Sequence, residues 1–164
     1  MVVCDAKMSL IERRAVEAEL LMRVYDNARL SQGADVALDI LKRVVDQAAF
    51  EAGQAFAAEA PSGTPSIAHF ATVVDRWRAG GVLDIEDISA TQVGLSFSVV
   101  RCGYMQMYTD MGIPPQFHSV LSCRRDAAFA EGYSSFLRLE RPLVIGQGGK
   151  TCEFRFFWST PSTW

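Results

Sequence analysis

Gly94-Leu95-Ser96-Phe97-Ser98-Val99-Val100-Arg101-Cys102 is where the hydrophobic period of this chain changes. Leu95, Phe97 and Val99 alternate with Gly94, Ser96 and Ser98, and a strand sends alternate side chains to opposite faces. A half-buried strand is therefore expected before Arg101-Cys102, with Val82 to Ile88 as the strand ahead of it. Upstream the spacing is helical instead. Ser9-Leu10-Ile11-Glu12 has the capping-box pattern that opens a helix, which is expected to run to about Leu30 and break at Ser31-Gln32-Gly33. In the alanine-rich stretch from Ala34 to Ala60, Val36, Ile40, Val44 and Ala48 recur at one-turn spacing and predict a second long helix with that apolar face. After the loop Pro61 to Pro65, with Thr64 as cap, Ile67, Phe70, Val74 and Trp77 mark a third helix closed by Gly80-Gly81.

Downstream, Cys102 to Met111 suits a short helix stopped by Gly112 and Pro114-Pro115. Another short helix is expected after Cys123, with Asp126 near its first turn and a turn at Gly132. Phe136 to Ile145 and Thr151 to Trp158 read as two closing strands joined by Gly146-Gln147-Gly148-Gly149. Helices first and antiparallel strands later predict an α+β domain. The helical part is 7–80 and the sheet part 82–158, the latter with short inserted helices.

The chain has 164 residues, 49% hydrophobic and 21% charged, which suits one soluble domain across 1–164 with a core of ordinary size. Its formal net charge is −3, and paired arginines occur only at Arg13-Arg14 and Arg124-Arg125, so there is no basic footprint for nucleic acid. No apolar run approaches the roughly 20 residues that a membrane span needs, and Met1 to Lys7 has no leader pattern, so a cytoplasmic location with reduced thiols is expected. Besides a small molecule, a homo-oligomer is the partner that comes into view, because Trp164 adds an apolar residue near the C-terminus.

Chemistry concentrates in the last third. Cys102, Ser122-Cys123-Arg124-Arg125-Asp126 and Thr151-Cys152-Glu153-Phe154-Arg155-Phe156 bring three of the four cysteines together with acids and arginines. A zinc site wants closely spaced ligand pairs, whereas these cysteines stand about 20 to 30 residues apart, so neither a metal nor another cofactor is expected. A buried cysteine also packs as a small hydrophobe, and that reading stays open. For reactivity Cys123 fits best: neighbouring arginines and a helix start would lower its thiol pKa, with Asp126 three positions on to take a proton. His118 lies in the loop before it and could form a Cys/His pair. Glu131 and Tyr133 flank Gly132 as an acid and a phenol beside the short helix. Cys152 lies on the buried face of the last strand with Phe154, Phe156 and Trp158, so Arg155 on a regular strand points the other way. Either a bulge re-aims it or it joins Arg138, Glu140, Arg141 and Glu153 in a solvated ladder.

These residues resemble the L-2-amino-thiazoline-4-carboxylic acid hydrolase family. The likeness runs from Cys102 through Tyr104, Tyr108 and Gly112 to Ser-Cys-x-Arg-Asp at 122–126. It continues through Gly132-Tyr133, Arg141 and the glycine turn to Cys-Glu-Phe-Arg at 152–155. Glu153 stands where the family usually has Asp, and Pro142 where it usually has Thr. The resemblance implies opening of a cyclic amidine-like acid, 2-amino-thiazoline-4-carboxylate or a relative, at the ring carbon between nitrogen and sulfur. Within that reading Cys123, Cys152, Cys102 and Asp126 are the catalytic candidates, by thiolate attack or by activation of water. Arg125 or Arg155 would hold the substrate carboxylate, and Tyr133 or Glu131 would supply the proton. A binding or regulatory domain with the same cysteine-lined pocket is the alternative.

Overall fold

The Gly94–Cys102 stretch is a strand at the inside of a four-stranded antiparallel sheet, in a computed structural model that describes residues 8–159. The N-terminal segment Met1–Lys7 and Trp164, both used above, lie outside the described residues. The chain begins with helices α1 (Leu10–Gln32), α2 (Ala34–Ala57), α3 (Ile67–Phe70) and α4 (Val73–Arg78). Strands β1 (Leu83–Ala90) and β2 (Gly94–Cys102) follow, then helices α5 (Gly103–Asp110), α6 (Pro115–His118) and α7 (Arg125–Tyr133), and finally strands β3 (Leu137–Glu140) and β4 (Cys152–Trp158). The sheet order is β1-β2-β4-β3, so the fold is α+β with short helices between the two halves of the sheet.

Local chemistry accounts for most element ends. Ser9 caps α1: its hydroxyl accepts from the Glu12 amide while the Glu12 carboxylate accepts from the Ser9 amide. Gly33, at φ 89, reverses the chain directly into α2. The cap of the third helical segment is Ser66 rather than Thr64, its hydroxyl accepting from the His69 amide, and the segment splits into α3 and α4. Its expected face is nevertheless the inner one, with Ile67, Phe70 and Val74 buried.

Three expectations shift. The packed stripe of α2 is Ala37, Leu41, Val45, Ala49 and Gly53, one residue on from Val36, Ile40, Val44 and Ala48. Leu41 and Val45 pack with Ala18, Tyr104 and Tyr108, and at the C-terminal end of the stripe α7 comes very close. A Cβ on Gly53 would lie 2.1 Å from the Phe129 carbonyl oxygen, and one on Gly132 would lie 2.0 Å from that of Phe50. Gly132 thus serves helix packing inside α7 and not a turn after it. β3 ends at Glu140, well before Ile145, because Pro142 offers no N–H for further pairing. The glycine run is consequently part of a longer loop with a 3₁₀ turn at Ile145–Gln147, and the tight hairpin is absent.

One sheet face is covered and the other open. Leu95, Phe97, Val99, Cys152, Phe154 and Phe156 face inward onto Phe56, Phe70, Val74 and Tyr133. The Phe70 and Phe156 rings meet edge to face at 4.9 Å. A second cluster, around Ala18, Leu41, Val45, Tyr104, Tyr108 and Leu121, joins α1 and α2 to α5 and the segment before α7. Cys102, Met105 and Leu83 pack against both clusters, and the cysteines gather at this seam.

Candidate active site at the seam of two hydrophobic clusters

Cys102 ends β2 and stands at the N-terminus of α5. The amides of Tyr104 and Met105 favour its thiolate, but burial outweighs them and raises the pKa. Cys123 closes a π-helical turn, Ser119–Cys123, in which the Arg124 amide donates to the Ser119 carbonyl at 2.9 Å. Such wide turns are frequent at functional sites, and this one turns Cys123 into the interior before α7 begins. Cys152 opens β4, and its Sγ accepts from the Ile145 amide at 3.1 Å. Gly146 rests on Cys123 so closely that a Cβ there would meet Cys123 Sγ at 2.7 Å and Met105 Sδ at 3.1 Å. The Ile145–Gln147 turn therefore covers two of the three thiols.

Asp126, in the first turn of α7, is the ionisable centre of this group. Its carboxylate accepts from Arg141 Nη1, and Arg141 Nη2 donates to the Cys123 carbonyl at 2.7 Å. The guanidinium also lies over the Phe154 ring, 5.3 Å from its centroid. Arg141 Nε is fully buried and is the one such side-chain polar atom among the described residues without a hydrogen-bond partner. Burial pushes the Asp126 carboxyl up to about 6, against the pull of Arg141, Arg125 and Arg14. Cys123 is pushed up to about 12, first by burial and then by the Asp126 charge, and Cys152 is raised as well.

The lowered thiol pKa expected for Cys123 is thus reversed. Neither neighbouring arginine faces it: Arg124 pairs with Asp46 at 2.6 Å, while Arg125 donates to the Leu121 carbonyl at 2.7 Å and to Glu17 at 2.9 Å. Glu17 also accepts from Arg14 at 2.5 Å, so one carboxylate holds two largely buried guanidinium groups and ties α1 to α7. Arg155 lies on the open face of β4, paired with Glu153 at 3.0 Å, and does not join the cysteines. His118 is buried, with Nε2 donating to the Ile113 carbonyl at 2.7 Å. Tyr133 sits in the other aromatic group, where its hydroxyl donates to the Ser66 carbonyl and lies 3.0 Å from His69 Nδ1. The structure therefore gathers Cys102, Cys123, Cys152 and Asp126, and sends Tyr133, Arg125 and Arg155 to other partners.

An open cleft of about 730 Å³ borders this group at Cys123 and Arg141, while Asp126, Cys102 and Cys152 do not line it. Arg43, Asp46 and Gln47 of α2, Glu131 of α7 and Gln147 of the turn line it together with Cys123 and Arg141. Glu131 is exposed on that wall. Among the described residues no group of three or more His, Cys, Asp or Glu side chains is arranged to hold a metal ion.

Sequence reasoning missed Arg141 as a site residue. Treated as part of a strand running to Ile145, it belonged in a surface ladder, although Pro142 beside it signals the end of that ladder. It also missed Arg14 and Glu17, which as an i, i+3 pair look like any exposed helix pair. Residues 13–156 match the model of a family described as L-2-amino-thiazoline-4-carboxylic acid hydrolase. No curated protein matches the chain.

Proposed function

We propose, from the premise that this chain belongs to the L-2-amino-thiazoline-4-carboxylic acid hydrolase family, that it opens a small cyclic amidine-like acid such as 2-amino-thiazoline-4-carboxylate by hydrolysis. The observation that carries this reading is Asp126: a carboxyl raised to about 6, paired with an arginine that lines the cleft and close enough to three neutral thiols to raise them. A carboxyl of that pKa is mostly ionised at neutral pH yet a stronger base than an ordinary carboxylate, so it can take a proton and return it.

In this reading Asp126 removes a proton from water as the water oxygen bonds to the ring carbon between nitrogen and sulfur. The ring carbon–sulfur bond then breaks, its electron pair stays on sulfur, and protonated Asp126 returns the proton to that sulfur. The net change is addition of one water. Direct attack by Cys123 is disfavoured at rest, because burial pushes its thiol up to about 12 and holds it neutral beside Asp126. Cys102, Cys123, Cys152 and the nearby Met105 thioether instead give the ring sulfur a soft, weakly polar wall.

Arg141 takes the part that the sequence reading had given to Arg125 or Arg155. It holds Asp126 with one nitrogen and keeps a spare N–H, Nε, for the substrate carboxylate. Nε is fully buried at rest, so a substrate reaches it only when the segments around Arg141 move.

The test is turnover of 2-amino-thiazoline-4-carboxylate, hydantoins and N-carbamoyl amino acids by the purified chain, alongside calorimetric binding of each. Ring opening that Asp126→Asn abolishes and Cys123→Ala only weakens supports the reading. Saturable binding without turnover would move the chain to the binding-domain alternative.

A further inference from the structure

Arg14 and Glu17 stand about one turn apart on α1, and the structure turns both toward α7. Glu17 Oε2 accepts from Arg14 Nη1 at 2.5 Å and from Arg125 Nη2 at 2.9 Å, so a single carboxylate oxygen holds two guanidinium groups. The arginine side chains are only 18% and 9% exposed. Two cations so close and so poorly solvated repel, and the acid between them offsets that repulsion. Arg125 is the residue before Asp126, and its Nε donates to the Leu121 carbonyl at 2.7 Å. Two of its nitrogens are thus fixed, one by its own segment and one by α1.

Charge does not balance in this region. Arg14, Arg125 and Arg141 bring three positive charges against the two carboxylates of Glu17 and Asp126. The other titratable groups that face Asp126 are neutral: Cys123 of the π-helical turn, Cys102 of β2, Cys152 of β4 and Tyr104 of α5. Asp126 therefore meets fixed charge from two sources, Arg141, which bonds it, and the cluster of Arg14, Glu17 and Arg125.

We infer that Glu17 and Arg14 are positioning residues for Asp126 that act from α1 through Arg125. Glu17 orients Arg125 and cancels one of the two positive charges, and Arg14 supplies the other. The inference rests on the proposed role of Asp126 as the base, and adds what sets the pH at which that base works. Burial raises the Asp126 carboxyl, and Arg125 and Arg14 both oppose that rise. The signs separate this role from a simple structural tie. Glu17→Gln leaves two cations uncompensated, which favours the carboxylate and moves its titration to lower pH. Arg14→Gln removes a cation and moves it to higher pH. A tie that only held α1 in place would let water in when broken from either side, and both substitutions would move Asp126 down toward the ordinary carboxylate range.

The test is titration of the Asp126 side-chain carboxyl by carbon-13 NMR, its resonance identified by its loss in Asp126→Asn. The pH profile of kcat/KM for 2-amino-thiazoline-4-carboxylate is measured alongside. In the wild type both midpoints are expected near 6. Glu17→Gln should lower them, and Arg14→Gln raise them, by about half a pH unit or more. Glu17→Asp, which keeps the charge, should recover most of the wild-type midpoint. Arg13→Gln, which removes the same charge at an exposed neighbouring position, should leave it unmoved. Should Glu17→Gln fail to fold, Arg14→Gln decides alone, because only the charge effect raises the midpoint. Midpoints that stay where they are, or that fall in both variants, overturn the inference. Opposite shifts in the NMR titration without any turnover would uphold it and overturn the proposed reaction instead.

Discussion

An arginine–carboxylate pair lies on either side of β4, and the two pairs differ in almost everything except residue type. On the open face Arg155 pairs with Glu153, their side chains 58% and 34% exposed; beneath the inner face Arg141 pairs with Asp126, 13% and 22% exposed. Water screens the first pair, which contributes little. The second is held among thiols and aromatic rings, where its charges are poorly solvated and its carboxyl is displaced toward neutrality. Burial, and not the identity of the charged residues, separates a surface ladder from a candidate site.

The largest effect should come from the inner carboxylate. Asp126→Asn is expected to lower kcat/KM for ring opening by about 100-fold or more, with the circular dichroism spectrum unchanged. Near-full activity would place the base elsewhere and remove the functional half of the contrast. Arg141→Ala comes next, because it leaves Asp126 without its cation. A loss of about 3 kcal/mol in urea unfolding is expected, and a much smaller value would mean that the pair is better solvated than its burial indicates.

Gly146→Ala sharpens the comparison without touching a charge. The added methyl group would press on Cys123 Sγ and Met105 Sδ, so a loss of about 1–3 kcal/mol and faster labelling of native thiols are expected. Unchanged labelling would show that the turn does not guard the thiols. The pH dependence follows from the sign of the Asp126 shift. Its folded pKa lies above its unfolded value, so its stabilising contribution is complete below about pH 4 and disappears as pH rises through about 6. Between pH 7 and 5 the wild type should therefore gain stability from this group, an increment that Asp126→Asn lacks, while activity falls with an apparent pKa near 6. The smallest effect belongs to the outer face: Arg155→Ala should stay within about 0.5 kcal/mol of wild type. A cost matching that of Arg141→Ala would break the comparison.

Much of the fold was readable in advance, and the reasons are local. The Ser9/Glu12 cap, the Gly33 break, the period-two run to Cys102 and the stop at Gly112 each depend on a few neighbouring residues. Errors arose where a distant element decided. Nothing near Gly132 in the chain says that Phe50 will approach it, so a glycine of helix packing was taken for a turn. The α2 face was misassigned by one position because two apolar stripes compete there, and only contact with α1, α5 and α7 selects the buried one. The site was legible as a set of residue types, namely Cys102, Cys123, Cys152 and Asp126. The arginine beside them was not, because Arg141 meets Asp126 and the Cys123 carbonyl only after the chain has left β3.

By itself the sequence determined the order and kind of elements, the strand alternation that buries Cys152 and turns Arg155 outward, and the acid after Cys123. These follow from backbone geometry and side-chain period, which act over a few residues. Tertiary structure alone decided which cation meets Asp126, how strongly burial raises the thiols, and which stripe of the helical hairpin stays in water. Those outcomes depend on desolvation and close approach between segments far apart in the chain, and hydrophobic period does not carry that information.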